Sequence, residues 1–262
     1  MDRELRLLGW PRVILHASSS AKVATFVAKL ADVAPDGHSA LIVDGSMNAT
    51  RRRSLTDPEP MTPGEVYELN IPMNPTGWTL PAGHRLRLAI SGSDFPNLWP
   101  TPDRAENRVY RDGSRPSRVI LPVVPASTLE PPRFLPPPRL PQLLASFGSP
   151  PTQQVVRDQI TGAVTVVNRT GGTSVLPDGR GTLATEQRFR CTASSREPAQ
   201  ADIVGTHTYM LTREDGAFEV TSEGTIRATA TAFQITINLT VTRNGKPFFH
   251  KRWMVSQPRR LL

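Results

Sequence analysis

The chain has 262 residues, of which 38% are hydrophobic, and a formal net charge of +8. This length accommodates one large β-domain or two of ordinary size, and the apolar content excludes a disordered chain. No apolar run approaches the roughly 18 residues that a membrane-spanning helix requires, so we expect no membrane partner.

The positive charge is concentrated at the C-terminal end. Residues 1–126 carry 15 Lys and Arg against 13 Asp and Glu, whereas residues 243–262 carry six basic residues and no acidic one. A basic segment attracts phosphates or an acidic neighbour. No aromatic residues alternate with these basic ones in the way that proteins use to stack bases, so we expect no nucleic-acid partner.

The first half has the pattern of short strands separated by Gly and Pro turns. The predicted strands are residues 12–17, 24–30, 40–43, 65–71, 85–91 and 117–123. No amphipathic helix longer than about two turns is visible in the sequence. This pattern predicts an all-β fold with a jelly-roll sandwich over residues 1–126.

The middle of the chain is rich in proline. Ten of the 26 prolines fall within residues 122–151. Proline lacks the backbone donor that a sheet interior requires and favours an extended, stiff conformation. We therefore predict a linker over residues 127–154, between the jelly roll and a second antiparallel β-domain over 155–262.

The second half contains the clearest strand signal. Residues 233–241 (FQITINLTV) are apolar at every odd position and polar at every even one. This period of two predicts a strand with one dry and one wet face. Asn244-Gly245 separates that run from residues 247–255, and this dipeptide favours a tight hairpin because both of its positions tolerate positive φ. Asp215-Gly216 predicts a similar turn between residues 206–213 and 217–221.

The sequence lacks the motif of a serine hydrolase. The nucleophile elbow requires Gly-x-Ser-x-Gly, and the nearest match, residues 37–41 (GHSAL), has Leu41 at the last glycine. It follows a Pro-Asp-Gly turn, so we interpret it as a hairpin turn and predict no catalytic residue.

Metal and cofactor sites are not expected either. None of the five histidines has metal-binding spacing, and no Gly-rich phosphate loop is visible. We interpret His84, in a turn before a strand, as structural. Cys191 is the single cysteine, and we expect it to be buried and free, as in a reducing cytoplasm.

Five segments of the first half form a recognisable series. In chain order they are residues 26–37 (FVAKLADVAPDG), 63–69 (PGEVYEL), 82–88 (AGHRLRL), 90–96 (ISGSDFP) and 116–122 (PSRVILP). Together they resemble the C-terminal β-domain of the X-prolyl dipeptidyl-peptidase and cocaine-esterase-like (CocE/NonD) serine hydrolases. Arg252-Trp253 and the ending PRRLL resemble the extreme C-terminus of some longer members. This resemblance implies a jelly roll beside an α/β-hydrolase domain, and a chain that reaches the native end of such a protein.

Two features depart from the family. Its nucleophile elbow and triad should precede residue 1, so no catalytic residue carries over. The family often has an Asp-Thr-Asp-like stretch before Phe26, where this chain has residues 22–25 (KVAT). Any polar role of that loop is therefore in doubt.

The resemblance implies a non-catalytic accessory region that packs on an α/β-hydrolase catalytic domain and helps shape its substrate cleft. We expect its docking surface at Phe95, Leu98 and Trp99, in the loop after the strand 85–91. The alternative is a free-standing binding module in which Trp78 and Trp99 stack a sugar ring. An independent enzyme is the least favoured hypothesis, because a hydrolase needs a nucleophile and a base within hydrogen-bond reach. The sequence leaves open whether the chain forms a homo-oligomer. The expected location is the cytoplasm.

Overall fold

A computed structural model describes residues 1–125, 133–137, 146–148 and 150–262. Strands account for 58% of the structure and helix for 1%, and the sheets are antiparallel. The all-β prediction is therefore confirmed. Among the residues described, the helical part is one short 3₁₀ turn, Ala49–Arg51.

The chain forms two compact units, which we call unit 1 (Met1–Pro132 with Leu261–Leu262) and unit 2 (Arg133–Arg260). The predicted linker over residues 127–154 lies largely outside the described residues and stays a prediction. The strand that ends it, β11, begins at Thr152.

The described part of unit 1 contains nine strands. In chain order they are β1 (Leu5–Gly9), β2 (Arg12–Ser19), β3 (Thr25–Val33), β4 (Ser39–Asn48), β5 (Tyr67–Pro72), β6 (Thr76–Leu80), β7 (Arg85–Ser91), β8 (Asn107–Tyr110) and β9 (Arg118–Ile120). One sheet has the order β5-β2-β8, with β9 also paired to β2, and a second has the order β4-β3-β7. β1 and β6 form a separate pair.

The core of unit 1 lies between the two larger sheets. Leu15 on β2 and Leu69 on β5 come from one sheet, and Phe26 and Leu30 on β3 come from the other. All four are at most 1% exposed. β2 and β3 are buried at nearly every position rather than at alternate ones. This arrangement is a jelly-roll sandwich.

The hairpin between β3 and β4 forms where the sequence predicts a turn. Gly37 has φ +91°, a value that L-residues with side chains rarely adopt. The Asp36 carboxylate accepts a hydrogen bond from the backbone N–H of His38 at 2.9 Å. Ser39 then begins β4, opposite Val33. The GHSAL segment therefore begins in the predicted hairpin turn, and its last three residues are the first of β4.

The described strands of unit 2 form one antiparallel sheet. Its strands are β10 (Ser146–Phe147), β11 (Thr152–Arg157), β12 (Ala163–Val175), β13 (Gly181–Ser194), β14 (Asp202–Arg213), β15 (Gly216–Ala228), β16 (Ala232–Arg243) and β17 (Lys246–Pro258). The order is β10-β12-β13-β14-β15-β16-β17, and β11 also pairs with β12. Asn244 and Gly245 have φ values of 51° and 71°, which confirms the predicted hairpin.

The sheet of unit 2 has an apolar and a polar face. Register places Ile235 of β16 beside Ile226 of β15, which lies beside Ile203 of β14. The prediction of a dry face on β16 is only partly met, because Ile237 on that face is 40% exposed. Within the described part of unit 2 all the strands belong to one sheet, so side chains on its apolar face bury each other only partly.

Candidate functional site

The predicted docking residues Phe95, Leu98 and Trp99 lie together in the loop after β7, but they are half-buried. The Phe95 and Trp99 rings are 5.7 Å apart between centroids and inclined by 54°. Tilted pairs of this kind contribute about 0.5–1.5 kcal/mol beyond the area they bury. The ring pair therefore stabilises its own loop, and its role in docking stays a prediction.

Asp94 anchors this loop to the second sheet. Its carboxylate lies 2.6 Å from the Lys29 ammonium on β3 and accepts a hydrogen bond from the Asn97 amide at 3.1 Å. The backbone carbonyl of Asp94 accepts the N–H of Leu98 at 3.1 Å. This backbone hydrogen bond closes one turn of the loop, so the segment that carries the two rings is held at both the side chain and the main chain of Asp94.

The environment of Asp94 also fixes its charge. Partial burial raises the pKa of this carboxyl group, but the hydrogen bonds from Lys29 and Asn97 and the positive charge of Lys29 outweigh that effect. The pKa of Asp94 therefore lies below its ordinary value, and the carboxylate stays ionised at neutral pH.

A more exposed apolar patch lies at β1, where sequence reasoning did not place one. We define the β1 patch as Leu8 and Trp10, which are 69% and 73% exposed. The Leu8 N–H donates to the Pro122 carbonyl at 3.0 Å, and Leu7 bridges to Val123, so β1 also pairs with the segment that follows β9. The sequence did contain one signal for this exposure. Leu7 and Leu8 are neighbours on one strand, so when Leu7 is buried the Leu8 side chain faces the other way.

A second cluster joins His84, Asp32 and Trp78. The His84 Nδ1 atom lies 2.7 Å from one Asp32 oxygen, and the Trp78 Nε1–H donates to the other at 3.1 Å. Asp32 is only 6% exposed, and it lies on β3, next to the register position that pairs Val33 with Arg85. The sequence did not reveal this pair, because 52 residues separate its members.

The His84–Asp32 pair is one half of the arrangement that a serine hydrolase requires. A carboxylate can orient an imidazole, but a nucleophile must lie within hydrogen-bond reach of the other ring nitrogen. Within the described ranges, the His84 ring hydrogen-bonds to Asp32 and to no hydroxyl group. The cluster therefore supports the interpretation of His84 as a structural residue.

The two tryptophans of the alternative hypothesis are held by the protein itself. Trp78 is half-buried and donates to Asp32, and Trp99 is half-buried and packs against Phe95. A sugar-stacking platform needs an open aromatic face. Neither ring meets that description, so this geometry does not favour a carbohydrate site.

The remaining candidate groups are potential metal ligands and the cysteine. Among the residues with described positions, no group of three or more His, Cys, Asp or Glu could hold a metal ion. No helix in the same residues is long and apolar enough to cross a membrane. Cys191 is free and buried, as predicted, and burial together with the Asp202 charge raises the pKa of its thiol.

Comparison with known proteins gives matches to the first unit. Residues 1–120 match the family model of the X-Pro dipeptidyl-peptidase C-terminal non-catalytic domain. Cocaine esterase from Rhodococcus sp. (strain MB1 Bresler) is 33% identical over 124 residues, which cover 42% of this chain and 22% of the esterase. The chain spans less than a quarter of the length of the curated relatives it matches.

Two solved structures match a similar share of the chain. An aminopeptidase from a marine sediment Thaumarchaeota archaeon has 24% identity and a TM-score of 0.46, covering 48% of this chain and 24% of its own. An α-amino acid ester hydrolase has 25% identity and a TM-score of 0.44, covering 47% of this chain and 24% of its own. The sequence matches confirm the resemblance of the five motifs, and residues 1–120 are similar to the X-Pro dipeptidyl-peptidase C-terminal non-catalytic domains.

Proposed function

We propose that unit 1 is the accessory domain of a CocE/NonD-type serine hydrolase, that it packs on the α/β-hydrolase catalytic domain, and that it helps shape the substrate cleft. The observation that carries this proposal is the β1 patch. Trp10 is 73% exposed and Leu8 is 69% exposed on a unit that buries a core of large apolar side chains between its two larger sheets. Exposed apolar patches of this kind mark contact surfaces.

The β1 patch is suited to docking because its backbone is held on two sides. β1 pairs with β6 from Leu5 to Gly9, and it also bonds to the segment that follows β9 through the Leu8–Pro122 hydrogen bond. A surface on paired strands keeps its shape, so a partner does not have to order it on binding. We propose that this patch forms the centre of the contact with the catalytic domain.

The Phe95 loop has a second role in this proposal. Phe95, Leu98 and Trp99 are half-buried and fixed through Asp94, so they present a rigid edge rather than an open apolar surface. A rigid loop beside a catalytic domain can define one wall of a cleft. We therefore assign the finer cleft-shaping role to this loop.

A chimera tests both assignments. The full chain replaces the matched C-terminal part of cocaine esterase, and ester hydrolysis is measured with a chromogenic acyl ester. We expect the chimera to retain turnover that the truncated esterase lacks. A folded chimera with no more activity than the truncated esterase would overturn the proposal.

Variants of the chimera separate docking from cleft shape. The Leu8→Ser/Trp10→Ser variant should lower both activity and thermal stability, whereas Leu55→Ser should change neither, because Leu55 is 79% exposed outside the patch. Phe95→Ala should raise KM, and it should lower thermal stability less than the Leu8→Ser/Trp10→Ser variant does. If Leu55→Ser lowered activity and thermal stability as much as Leu8→Ser/Trp10→Ser, then the β1 patch would not be part of the interface. The cytoplasmic location stays a prediction, and whether the chain forms a homo-oligomer stays open.

A further inference from the structure

The last strand of unit 2 has an open edge. β17 (Lys246–Pro258) pairs with β16 on one side, and all 13 of its residues are exposed. No other described strand pairs with it. An edge strand of this length presents a row of backbone donors and acceptors that can bind another strand.

The register identifies which backbone groups face outward. The Arg259 N–H donates to the Thr231 carbonyl at 2.7 Å, just beyond the end of the strand pair. Along an antiparallel strand, the backbone N–H and C=O groups of every second residue bond to the neighbouring strand. The backbone groups of the residues between them point away from that strand. The register is unbroken from Arg259 back to Phe249. The backbone groups that face outward are therefore those of His250, Arg252, Met254 and Ser256.

Prolines stand near both ends of β17. Pro247 and Pro258 lack a backbone donor, so neither adds an N–H group to the open edge. The stretch between His250 and Ser256 spans roughly 20 Å at the rise of an antiparallel strand. This length matches an incoming strand of about seven residues.

The edge is also strongly basic. Residues 224–262 contain seven Lys and Arg and no Asp or Glu. On β17, Lys246 and Arg252 have no carboxylate partner among the described residues, and the Lys251 ammonium lies 5.0 Å from the Trp253 ring centroid instead of on an acid. An incoming strand with carboxylates opposite His250, Lys251 and Arg252 would supply the missing charges.

Apolar side chains flank this basic centre. Phe248 and Phe249 are 66% and 46% exposed on one side of it, and Met254 and Val255 are 70% and 51% exposed on the other. Directly opposed side chains on neighbouring strands contact each other. A complementary strand would therefore have a central acidic run with apolar residues on both sides.

We propose that the open edge of β17 binds an extended acidic peptide segment of a partner protein by strand addition. The outward backbone groups align the segment, the basic centre selects its charge, and the flanking apolar side chains bury its ends. This proposal concerns unit 2 and does not depend on the function proposed for unit 1.

A second copy of the chain is a poorer occupant of the edge. In a two-fold antiparallel pairing centred on Arg252, that residue faces its own symmetry mate, and Lys251 faces Trp253. Like charges directly opposite each other destabilise a strand pair. The charge of the edge thus opposes self-association and favours an acidic strand.

The first experiment uses the full chain and a fluorescein-labelled peptide of nine residues, with three acidic residues at its centre and Val-Ile-Val on each side. We expect saturable binding by fluorescence anisotropy. A peptide with lysines at its centre should bind at least about tenfold more weakly, because the same-sign charges then oppose one another. Equal binding of the two peptides would overturn the proposal.

Backbone methylation tests strand addition itself. Methylating alternate amides of the acidic peptide removes the donors on one edge and leaves its charge unchanged. One of the two alternate methylation patterns should abolish binding and the other should preserve it. If both patterns bind as well as the parent peptide, then the contact is only electrostatic and the proposal is wrong.

Variants of the chain complete the test. Met254→Pro removes one outward N–H, a change that edge strands tolerate, and it should weaken binding at least about tenfold while the circular dichroism spectrum is retained. Lys251→Glu/Arg252→Glu should reverse the preference between the two peptides. The control Arg104→Glu/Arg111→Glu makes the same change in net charge at exposed sites in unit 1 and should bind like the parent chain. The proposal would be contradicted if Lys251→Glu/Arg252→Glu bound the acidic peptide as well as the control does. It would also be contradicted if the parent chain bound anionic lipid vesicles in preference to the peptide.

Discussion

The Asp32 carboxylate on β3 lies 2.7 Å from the Nδ1 atom of His84, which directly precedes the strand that pairs with β3. The same carboxylate accepts the Trp78 indole N–H on β6. One buried acid thus connects three segments that are distant in sequence. Because a buried carboxylate without partners is costly, this cluster fixes the relative positions of β3, β6 and β7 within unit 1.

Removal of the Asp32 carboxylate should destabilise unit 1. Asp32→Ala leaves the Trp78 indole without its acceptor, and we expect a loss of about 1–3 kcal/mol in the free energy of unfolding by urea titration. Asp32→Asn should lose less, because the amide oxygen can still accept the Trp78 N–H and the amide group can still hydrogen-bond to the His84 ring. The control is Asp103→Ala, an exposed site. Equal losses at positions 32 and 103 would contradict the proposed role of the cluster.

The C-terminal dipeptide is part of unit 1 and should contribute to its stability. The Asn48 side-chain amide donates to the Leu261 carbonyl at 2.8 Å, and the Thr50 hydroxyl lies 3.1 Å from the same oxygen. Deletion of Leu261 and Leu262 should lower the free energy of unfolding by about 1 kcal/mol. Asn48→Ala should cost more, because Asn48 also caps the 3₁₀ turn by accepting the Thr50 N–H.

A double-mutant cycle tests whether these two changes remove the same contact. The loss in the combined variant should be smaller than the sum of the separate losses, since Asn48 and Leu261 are direct partners. Additive losses would show that the Asn48–Leu261 hydrogen bond does not stabilise the unit.

Two glycines in strands should respond differently to alanine. A Cβ atom at Gly45 on β4 would lie 2.4 Å from the Pro72 carbonyl oxygen and 2.9 Å from the Met73 Cα. Both are backbone atoms, so Gly45→Ala should destabilise by about 2 kcal/mol or more. At Gly224 on β15 no atom lies within 4 Å of the added Cβ, so Gly224→Ala should be neutral or slightly stabilising.

Thermal unfolding measures both substitutions, with the parent chain as reference. A Gly45→Ala protein that melts with the parent would show that the segment after β5 can move away from β4 without cost.

Acid should weaken the loop that carries Phe95 and Trp99. The pKa of Asp94 in the folded protein lies below its ordinary value of 3.8, so the unfolded chain takes up a proton first as the pH falls. The stabilisation by Asp94 is therefore complete above that value and is lost as the pH falls through the folded pKa. Its size should not exceed about 1 kcal/mol, because the partners are partly exposed.

The pH dependence of urea unfolding tests this assignment. The parent chain should lose more stability than Asp94→Asn as the pH falls from about 5 to below the ordinary Asp value of 3.8, because the folded pKa of Asp94 lies below that value. Parallel curves for the two proteins would show that Asp94 carries no linked proton.

Local signals in the sequence were sufficient for much of the fold. Asn244-Gly245 forms the predicted hairpin because both residues adopt positive φ, and residues 233–241 lie inside β16 as their alternation indicates. β7 occupies Arg85–Ser91, which are the predicted limits. These elements were predictable because turn chemistry and period-two patterns depend on neighbouring residues alone.

Other features depend on distant contacts and were not predicted. β6 (Thr76–Leu80) and β8 (Asn107–Tyr110) are short strands whose pairing partners, β1 and β2, are far away in sequence. The Asp32–His84 pair is formed only by the register of β3 and β7. The exposure of Leu8 was missed for a related reason, because a leucine in a strand is usually assigned to the core.

Assembly in trans tests the central claim most directly. The full chain is mixed with the catalytic part of cocaine esterase that lacks its matched C-terminal segment, and sedimentation velocity measures the mass of the species formed. Our account predicts a one-to-one complex that the Leu8→Ser/Trp10→Ser variant fails to form and that Leu55→Ser still forms. Two separately sedimenting, folded proteins at every concentration would contradict it.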